Sequence, residues 1–284
     1  MSTPITAAMV NELRQRTSRP IMECKKALTQ ADGDMAKAEK ILRETGHVAK
    51  GDRTTGEGRI AVAIDPARQF GAMIEVLCES APVAKSEPFV KLAQALARQV
   101  ALEGPATADA LLAQPLVDDP RRTVNDRIGE TVGLVRENMK PARMARLTGL
   151  LGSYEHHDGS VGVLLQVEGA EQADPQLLKD VCMHIAARSP LAARREDVAH
   201  EVVAKETEIA KSQVAADPKN QNKPANILEK IVEGKLRTWF AENVLIDQPF
   251  VKDTSKSPKT VGDLLRAAGL KVVRFVRYRV GELS

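Results

Sequence analysis

Twice along this chain the apolar pattern changes period in the same order, strand, strand, then helix. In the first pass, Ile60 to Ile64 and Ala72 to Cys78 read as strands joined by Asp65-Pro66-Ala67-Arg68. A helix follows from about Glu87, with Phe89, Leu92, Ala93, Leu96, Ala97 and Val100 on one face. The second pass starts near Leu147, where Leu150 to Tyr154 and Val161 to Val167 are strands around the turn His156-His157-Asp158-Gly159. Asp174-Pro175 then opens a helix with Leu177, Leu178, Val181, Cys182 and Ile185 inward. Asp caps orphan N–H groups there, and Pro at a first helical position lacks only an N–H that would go unpaired. Two such units predict two similar α+β halves, each strand–strand–helix. Between them, Thr123 to Met139 reads as a single helix striped by Val124, Ile128, Val132, Val135 and Met139.

The first forty-six residues predict a separate small module. Ala8, Met9 and Leu13 lie on one face of a first helical pattern. Pro20 sits where a helix tolerates the missing N–H, and Ile21, Cys24, Ala27 and Leu28 repeat at helix spacing after it. Asp34 can cap a third helix carrying Met35, Ala38, Ile41 and Leu42, which Gly46 closes. Three helices this short bury little surface alone, so the module suits a docking head on a larger body. Periodicity by itself favours a generic three-helix bundle.

Further on, residues 196 to 214 form a charged helical pattern with few apolar positions. A polar break, Asp217 to Pro224, separates it from a second pattern carrying Ile227, Leu228, Ile231, Leu236 and Trp239. That arrangement predicts a protruding antiparallel helical hairpin over about 196–240. A short helix, Thr260 to Ala268, and a strand, Lys271 to Val280, finish the chain. The expected fold is α+β: a three-helix head at 1–46 and a glycine-containing linker at 47–58. The core follows, as an amino-terminal half with its connecting helix at 59–140 and a carboxy-terminal half with the hairpin at 141–284.

Composition excludes several functions. Lys plus Arg number 41 against 38 for Asp plus Glu, a balance of +3 that is too even to demand a nucleic-acid partner. Aromatics at 3% leave little for base-stacking surfaces. Cys24, Cys78 and Cys182 are widely spaced, which fits a reducing compartment rather than a disulfide framework. No long apolar run or amino-terminal signal pattern occurs, so a soluble cytoplasmic protein is expected. No phosphate-cradling Gly-rich loop, nucleophile elbow or zinc-spaced Cys/His pair is present, so no cofactor, metal or bound nucleotide is expected. His156 and His157 are adjacent, and in an extended segment they would face opposite ways, which disfavours chelation. His184 is better suited to packing or an interface than to catalysis.

Several ordered strings carry a resemblance. They include Leu13-Arg14-Gln15-Arg16-Thr17, Met22-Glu23-Cys24-Lys25-Lys26-Ala27-Leu28 and Ala31-Asp32-Gly33-Asp34 in the head. In the body stand Gly149-Leu150-Leu151-Gly152-Ser153-Tyr154-Glu155-His156 and Met183-His184-Ile185-Ala186-Ala187-Arg188-Ser189-Pro190. Ile231-Val232-Glu233-Gly234-Lys235-Leu236 and Gln248-Pro249-Phe250-Val251 complete the set. Together they closely resemble the bacterial elongation factor Ts family, over nearly the whole chain. The resemblance implies a guanine nucleotide exchange factor that binds elongation factor Tu carrying GDP, with no enzyme chemistry of its own. It implies no direct contact with nucleotide, nucleic acid or membrane.

In that family a Thr-Asp-Phe-Val motif intrudes near the magnesium site of the partner. The matching residues here are Ser80, Ala81, Pro82 and Val83, so Ala81 replaces the acid and Pro82 the aromatic. Pro82 fixes its own φ and biases Ala81 toward extended geometry. The resemblance also places Arg14, Ile21 and Met22 on the contacting surface of the head. Adjacent helical residues face different ways, so one of Ile21 and Met22 is equally suited to the bundle core. Several relatives continue into a further helix beyond the last strand, while this chain stops at Ser284, so the head is expected to carry most of the affinity. Two other readings exist. A head resembling ubiquitin-associated domains would suit an adaptor whose binding ignores GDP. RNA binding through basic positions such as Arg274, Arg277 and Arg279 would be strongly salt-dependent.

Overall fold

The computed structural model describes residues 5–17, 21–44, 55–65, 70–221 and 223–282, with the backbone alone at 43 and 44. Pro20, Gly46, the linker over 47–54 and the turn residues 66–68 lie outside the described residues. By compactness the chain divides into two units. One comprises Met1–Arg146, Glu155–Gly162 and Tyr278–Ser284, the other Leu147–Tyr154 and Val163–Arg277.

The first unit opens with three helices, α1 (Ala7–Thr17), α2 (Ile21–Gln30) and α3 (Met35–Glu44). Their shared core is Val10, Leu13, Cys24, Ala27, Leu28, Ala31, Ala38 and Leu42. Asp34 caps α3, its Oδ1 accepting the Lys37 N–H at 3.0 Å. On α1 the buried partner of Leu13 is Val10, three residues before it, while Ala8 is exposed.

Strands β1 (Glu57–Asp65) and β2 (Phe70–Cys78) pair antiparallel, from Glu57 opposite Cys78 to Asp65 opposite Phe70. Then come α4 (Ala81–Ala84), α5 (Glu87–Glu103), α6 (Ala108–Ala113), α7 (Val124–Val135) and β3 (Lys140–Thr148). The sheet order is β1-β2-β3. A central strand covered on both faces loses its alternation, and Gly71 through Val76 are all buried. Glu75 lies within that run, 4% exposed. Arg143 on β3 donates from Nε to its Oε2 at 2.7 Å, and the Gly281 N–H donates to Oε1 at 2.9 Å. A buried carboxylate persists only with partners of this kind. Helix α5 lays Phe89, Leu92, Ala93, Leu96, Ala97 and Val100 over β1 and β2.

Two sequence expectations change here. Helix α7, opened by a Thr123–Asp126 capping box, ends at Arg136 in the left-handed region (φ 64°), three residues short of Met139. Residues 140–148, read as no strand at all, form β3 and join the first sheet, whereas the sequence reading began the second half at 141.

In the second pass β4 (Leu150–Glu155) and β5 (Val161–Glu168) are followed by α8 (Pro175–Arg188). Then come α9 (His200–Ala216), α10 (Ala225–Asn243), α11 (Val261–Ala267) and β6 (Lys271–Arg279), with sheet order β4-β5-β6. Asp174 caps α8 through the Gln176 N–H at 2.9 Å. Leu178, Val181, Cys182 and Ile185 of α8 are buried in the second core with Val163, Leu165 and Val167 of β5. Helices α9 and α10 pack on each other across a 3-10 turn, Pro218–Asn220. The first of them starts later than expected, because Arg195–Asp197 is itself a 3-10 turn closed by Arg194 and Asp197. Among the described residues no helix is long and apolar enough to cross a membrane.

Candidate partner-docking loop and head

Between the central strand of the first sheet and the helix that covers it, the chain turns within eight residues, Glu79 to Ser86. Ser80 is extended (φ −136°, ψ 149°) and precedes the single turn α4. The Ala84 N–H donates to the Ser80 carbonyl at 3.1 Å, which puts Ala81 in the first helical position. The extended geometry expected at Ala81 therefore stands one residue earlier, at Ser80. Closing the turn outweighs the bias that Pro82 exerts on its predecessor. A second turn follows at once, with the Ser86 N–H and Oγ–H both donating to the Val83 carbonyl at 2.9 and 2.8 Å.

Side chains sort sharply across this loop. Val83 and Ala84 pack into the first core, while Ala81 and Pro82 are exposed. The exposed tip is thus small and apolar, with its backbone held from behind. Ser80 does the holding: its Oγ–H donates to Glu137 Oε1 at 2.6 Å and its N–H to Glu137 Oε2 at 3.1 Å. Reciprocally, Glu79 Oε1 accepts the Asn138 N–H at 2.9 Å. The two acids nearest the tip are thereby turned onto the framework. Cys78, at the loop's root, donates from Sγ to the Ser80 carbonyl at 3.4 Å. Burial pushes its thiol up to about 11, with the Glu137, Glu57 and Glu79 carboxylates adding to the rise, so it is a poor nucleophile.

Sequence reasoning proposed Ser80 to Val83 as the contact and did not single out the Glu79 and Glu137 carboxylates that hold this turn to its neighbours. Their signal was hidden because a helix drawn through Met139 carries Glu137 onto a helical surface instead of into the turn that follows α7. Leu134 of α7, 62% exposed, is a further surface residue that the apolar pattern did not single out.

In the head, Arg14 is exposed on α1. Ile21 and Met22 open α2 and are 47% and 73% exposed, so both stand outside the bundle core, whose α2 row is Cys24, Ala27 and Leu28. Two adjacent exposed apolar side chains suit a docking contact.

Two further reactive groups, His184 and Cys182, lie buried in the second unit. His184 is buried, its Nε2 at 2.9 Å from Gln248 Oε1 and its Nδ1 accepting the Val251 N–H at 3.1 Å. Gln248 in turn donates from Nε2 to the Glu242 carbonyl at 2.7 Å. Burial holds the imidazole below the ordinary histidine range and Arg188 adds to this, against the Gln248 hydrogen bond. Burial likewise raises the Cys182 thiol. An exposed, framework-held loop and an exposed apolar pair on the head are surfaces of the class that suits a protein partner.

Comparison with known proteins makes that class specific. Residues 82–282 match the family model described as Elongation factor TS. The chain is 43% identical to the elongation factor Ts of Thioalkalivibrio sulfidiphilus, covering 98% of this chain and 92% of that protein. It is 42% identical to that of Methylococcus capsulatus over the same shares. With the elongation factor Ts of Aquifex aeolicus it is 37% identical over the full length of both. The chain belongs to the elongation factor Ts family.

Proposed function

We propose that this protein is a translation elongation factor that binds elongation factor Tu carrying GDP and promotes release of the GDP. The observation that carries the reading is the match to elongation factor Ts relatives over 98–100% of the chain, and the exposed, framework-held turn at Ser80 to Val83 supports the part that the resemblance gives those residues. Magnesium bridges and neutralises the phosphates of a bound nucleotide, so disturbing its surroundings removes one of the strongest interactions holding GDP. Ala81 and Pro82 would act as a rigid apolar knob pressed beside that site, with Ser80 and Val83 fixing its aim. Arg14, Ile21 and Met22 would supply a second contact from the head (1–46), while the first sheet and its covering helix present the loop. No bond is made or broken in the process, and the setting of such a reaction is the cytoplasm.

Linkage makes the reading testable. A factor that weakens GDP must itself be weakened by GDP by the same ratio. A thousandfold faster release corresponds to a barrier lowered by about 4 kcal/mol. Stopped-flow release of fluorescent GDP from elongation factor Tu should accelerate with this protein at stoichiometric concentration, and excess GDP with magnesium should dissolve the complex. The adaptor reading, which the family match does not favour, requires a complex indifferent to GDP. No acceleration would remove the exchange function.

A further inference from the structure

The turn between β4 and β5 is outside the exchange reading and has a chemistry of its own. The objection to His156 and His157 as joint ligands assumed an extended backbone, but β4 stops at Glu155 and β5 starts at Val161. Between them the Gly159 N–H donates to the His156 carbonyl at 2.8 Å, closing a four-residue turn that Gly159 completes at φ 73°. The two imidazole centroids are consequently 4.4 Å apart, inclined at 57°. Asp158 joins them: ligand atoms of His156, His157 and Asp158 all lie within 4.8 Å of one another, the only such group among the described residues. His157 and Asp158 are exposed and His156 is half-buried.

The backbone beneath is fixed at several points. The His156 N–H donates to the Val161 carbonyl at 2.9 Å, and the Ile60 N–H to the Gly159 carbonyl at 2.8 Å. Arg59, 8% exposed, lies under the turn, pairing from Nη2 with Glu155 Oε1 at 2.8 Å and reaching the Asp158 carbonyl from Nη1 at 3.4 Å. Its charge would oppose a cation above it, but Glu155 already neutralises it. Ser160 donates its N–H to Asp158 Oδ1 at 2.9 Å.

We propose that the His156–His157–Asp158 turn is a surface site for a divalent transition-metal ion of the Zn2+/Cu2+ class. Two imidazole nitrogens and one carboxylate oxygen select borderline metals over Mg2+ or Ca2+, which take oxygen ligands and retain water. Zinc–nitrogen bonds of about 2.0–2.1 Å in a tetrahedron put donors about 3.3 Å apart. The three side chains therefore need to close by about 1.5 Å at most, within reach of rotation about their χ angles on a fixed backbone. Three protein ligands leave a coordination position for water or for a side chain of another molecule.

The test is calorimetric titration of the intact protein with Zn2+ at neutral pH in excess Mg2+, on the original chain, His157→Ala, Asp158→Asn and a remote control, His200→Ala. One equivalent should bind, the first two variants should bind at least tenfold more weakly, and the control should be unchanged. The tenfold threshold is conservative, because even outer-shell changes weaken metal sites about 10–100-fold. Absence of saturable one-equivalent binding overturns the proposal. So does less than tenfold weakening in both His157→Ala and Asp158→Asn.

Discussion

Breaking the clamp on Ser80 is the most discriminating perturbation of the loop. Glu137→Ala removes a carboxylate that accepts two hydrogen bonds from one residue, at 2.6 Å from Oγ and 3.1 Å from the backbone N–H. Hydrogen bonds to a charged group contribute about 1.5–3 kcal/mol when well enclosed. Both partners here are only half-buried, so about 2 kcal/mol for the pair is the appropriate scale. If exchange depends on the tip being held, that ordering energy must be supplied again on binding, and release should slow about 10–30-fold. Ser80→Ala deletes only the hydroxyl contact and should slow it about fivefold, near 1 kcal/mol. The assay is stopped-flow GDP release from elongation factor Tu over a range of factor concentrations, with urea unfolding run alongside. In a double-mutant cycle the two substitutions should be non-additive by about 1 kcal/mol, since they share one interaction. An unchanged release rate in Glu137→Ala, alongside a lowered urea midpoint, would refute the idea that loop order serves exchange. Full additivity would show that Glu137 acts by some route other than Ser80.

Three further outcomes follow from other parts of the molecule. A buried base held below its ordinary pKa of 6.5 binds fewer protons folded than unfolded; stability should therefore be intact above about pH 6.5 and fall as pH drops below it. Urea midpoints at pH 7.5 and 5.5 should show this fall, and His184→Gln should flatten it. Gly162→Ala would place a Cβ 2.8 Å from Met73 Sδ and against the Ile60 side chain, so overpacking should lower stability by about 1–3 kcal/mol in the same assay. Met22→Glu, at a 73% exposed position, should shift stability by less than about 0.5 kcal/mol yet weaken the complex with elongation factor Tu by about fivefold or more, measured calorimetrically.

What was legible in the amino-acid order was whatever local chemistry announces. Helices α5, α8 and α11 could be placed because Phe89 to Val100 keep helical period, and because Asp174-Pro175 and Thr260 provide starts that the structure uses. Strand β3 was illegible for the opposite reason. Lys140, Arg143 and Arg146 break any apolar alternation, and Pro141 weakens a strand reading except at a sheet edge. Its strand character is conferred by pairing beside β2, with Arg143 meeting Glu75 and Arg146 donating from Nε to the Ala101 carbonyl at 2.9 Å. Missing β3 also concealed the clamp, since Glu137 reaches Ser80 only once α7 has ended. The geometry at His156 and His157 was illegible for a related reason: the sequence marks a turn there but not that the Gly159 N–H closes it on the His156 carbonyl and leaves the two rings 4.4 Å apart.

The altered tip then has a physical logic. A phenylalanine buried in a partner contributes about 1.5–3 kcal/mol, and an ionised acid beside a magnesium site adds a directional electrostatic contact. Ala81 and Pro82 offer less area and no charge. They also lose almost no side-chain entropy on binding, whereas fixing a rotamer-rich side chain costs about 0.5–1.5 kcal/mol. Pro82 has its φ set by its ring, the Ala84 N–H closes the turn on Ser80, and Glu137 fixes Ser80 in place. Pre-ordering of this kind offsets roughly the deficit of one modest side chain, but only while the frame holds. A large wedge could tolerate a loose loop because its own burial would order it on contact. A small one cannot, so under the proposed exchange function the dependence on position moves from the tip to the pair, Ser80 and Glu137, that keeps the tip in place.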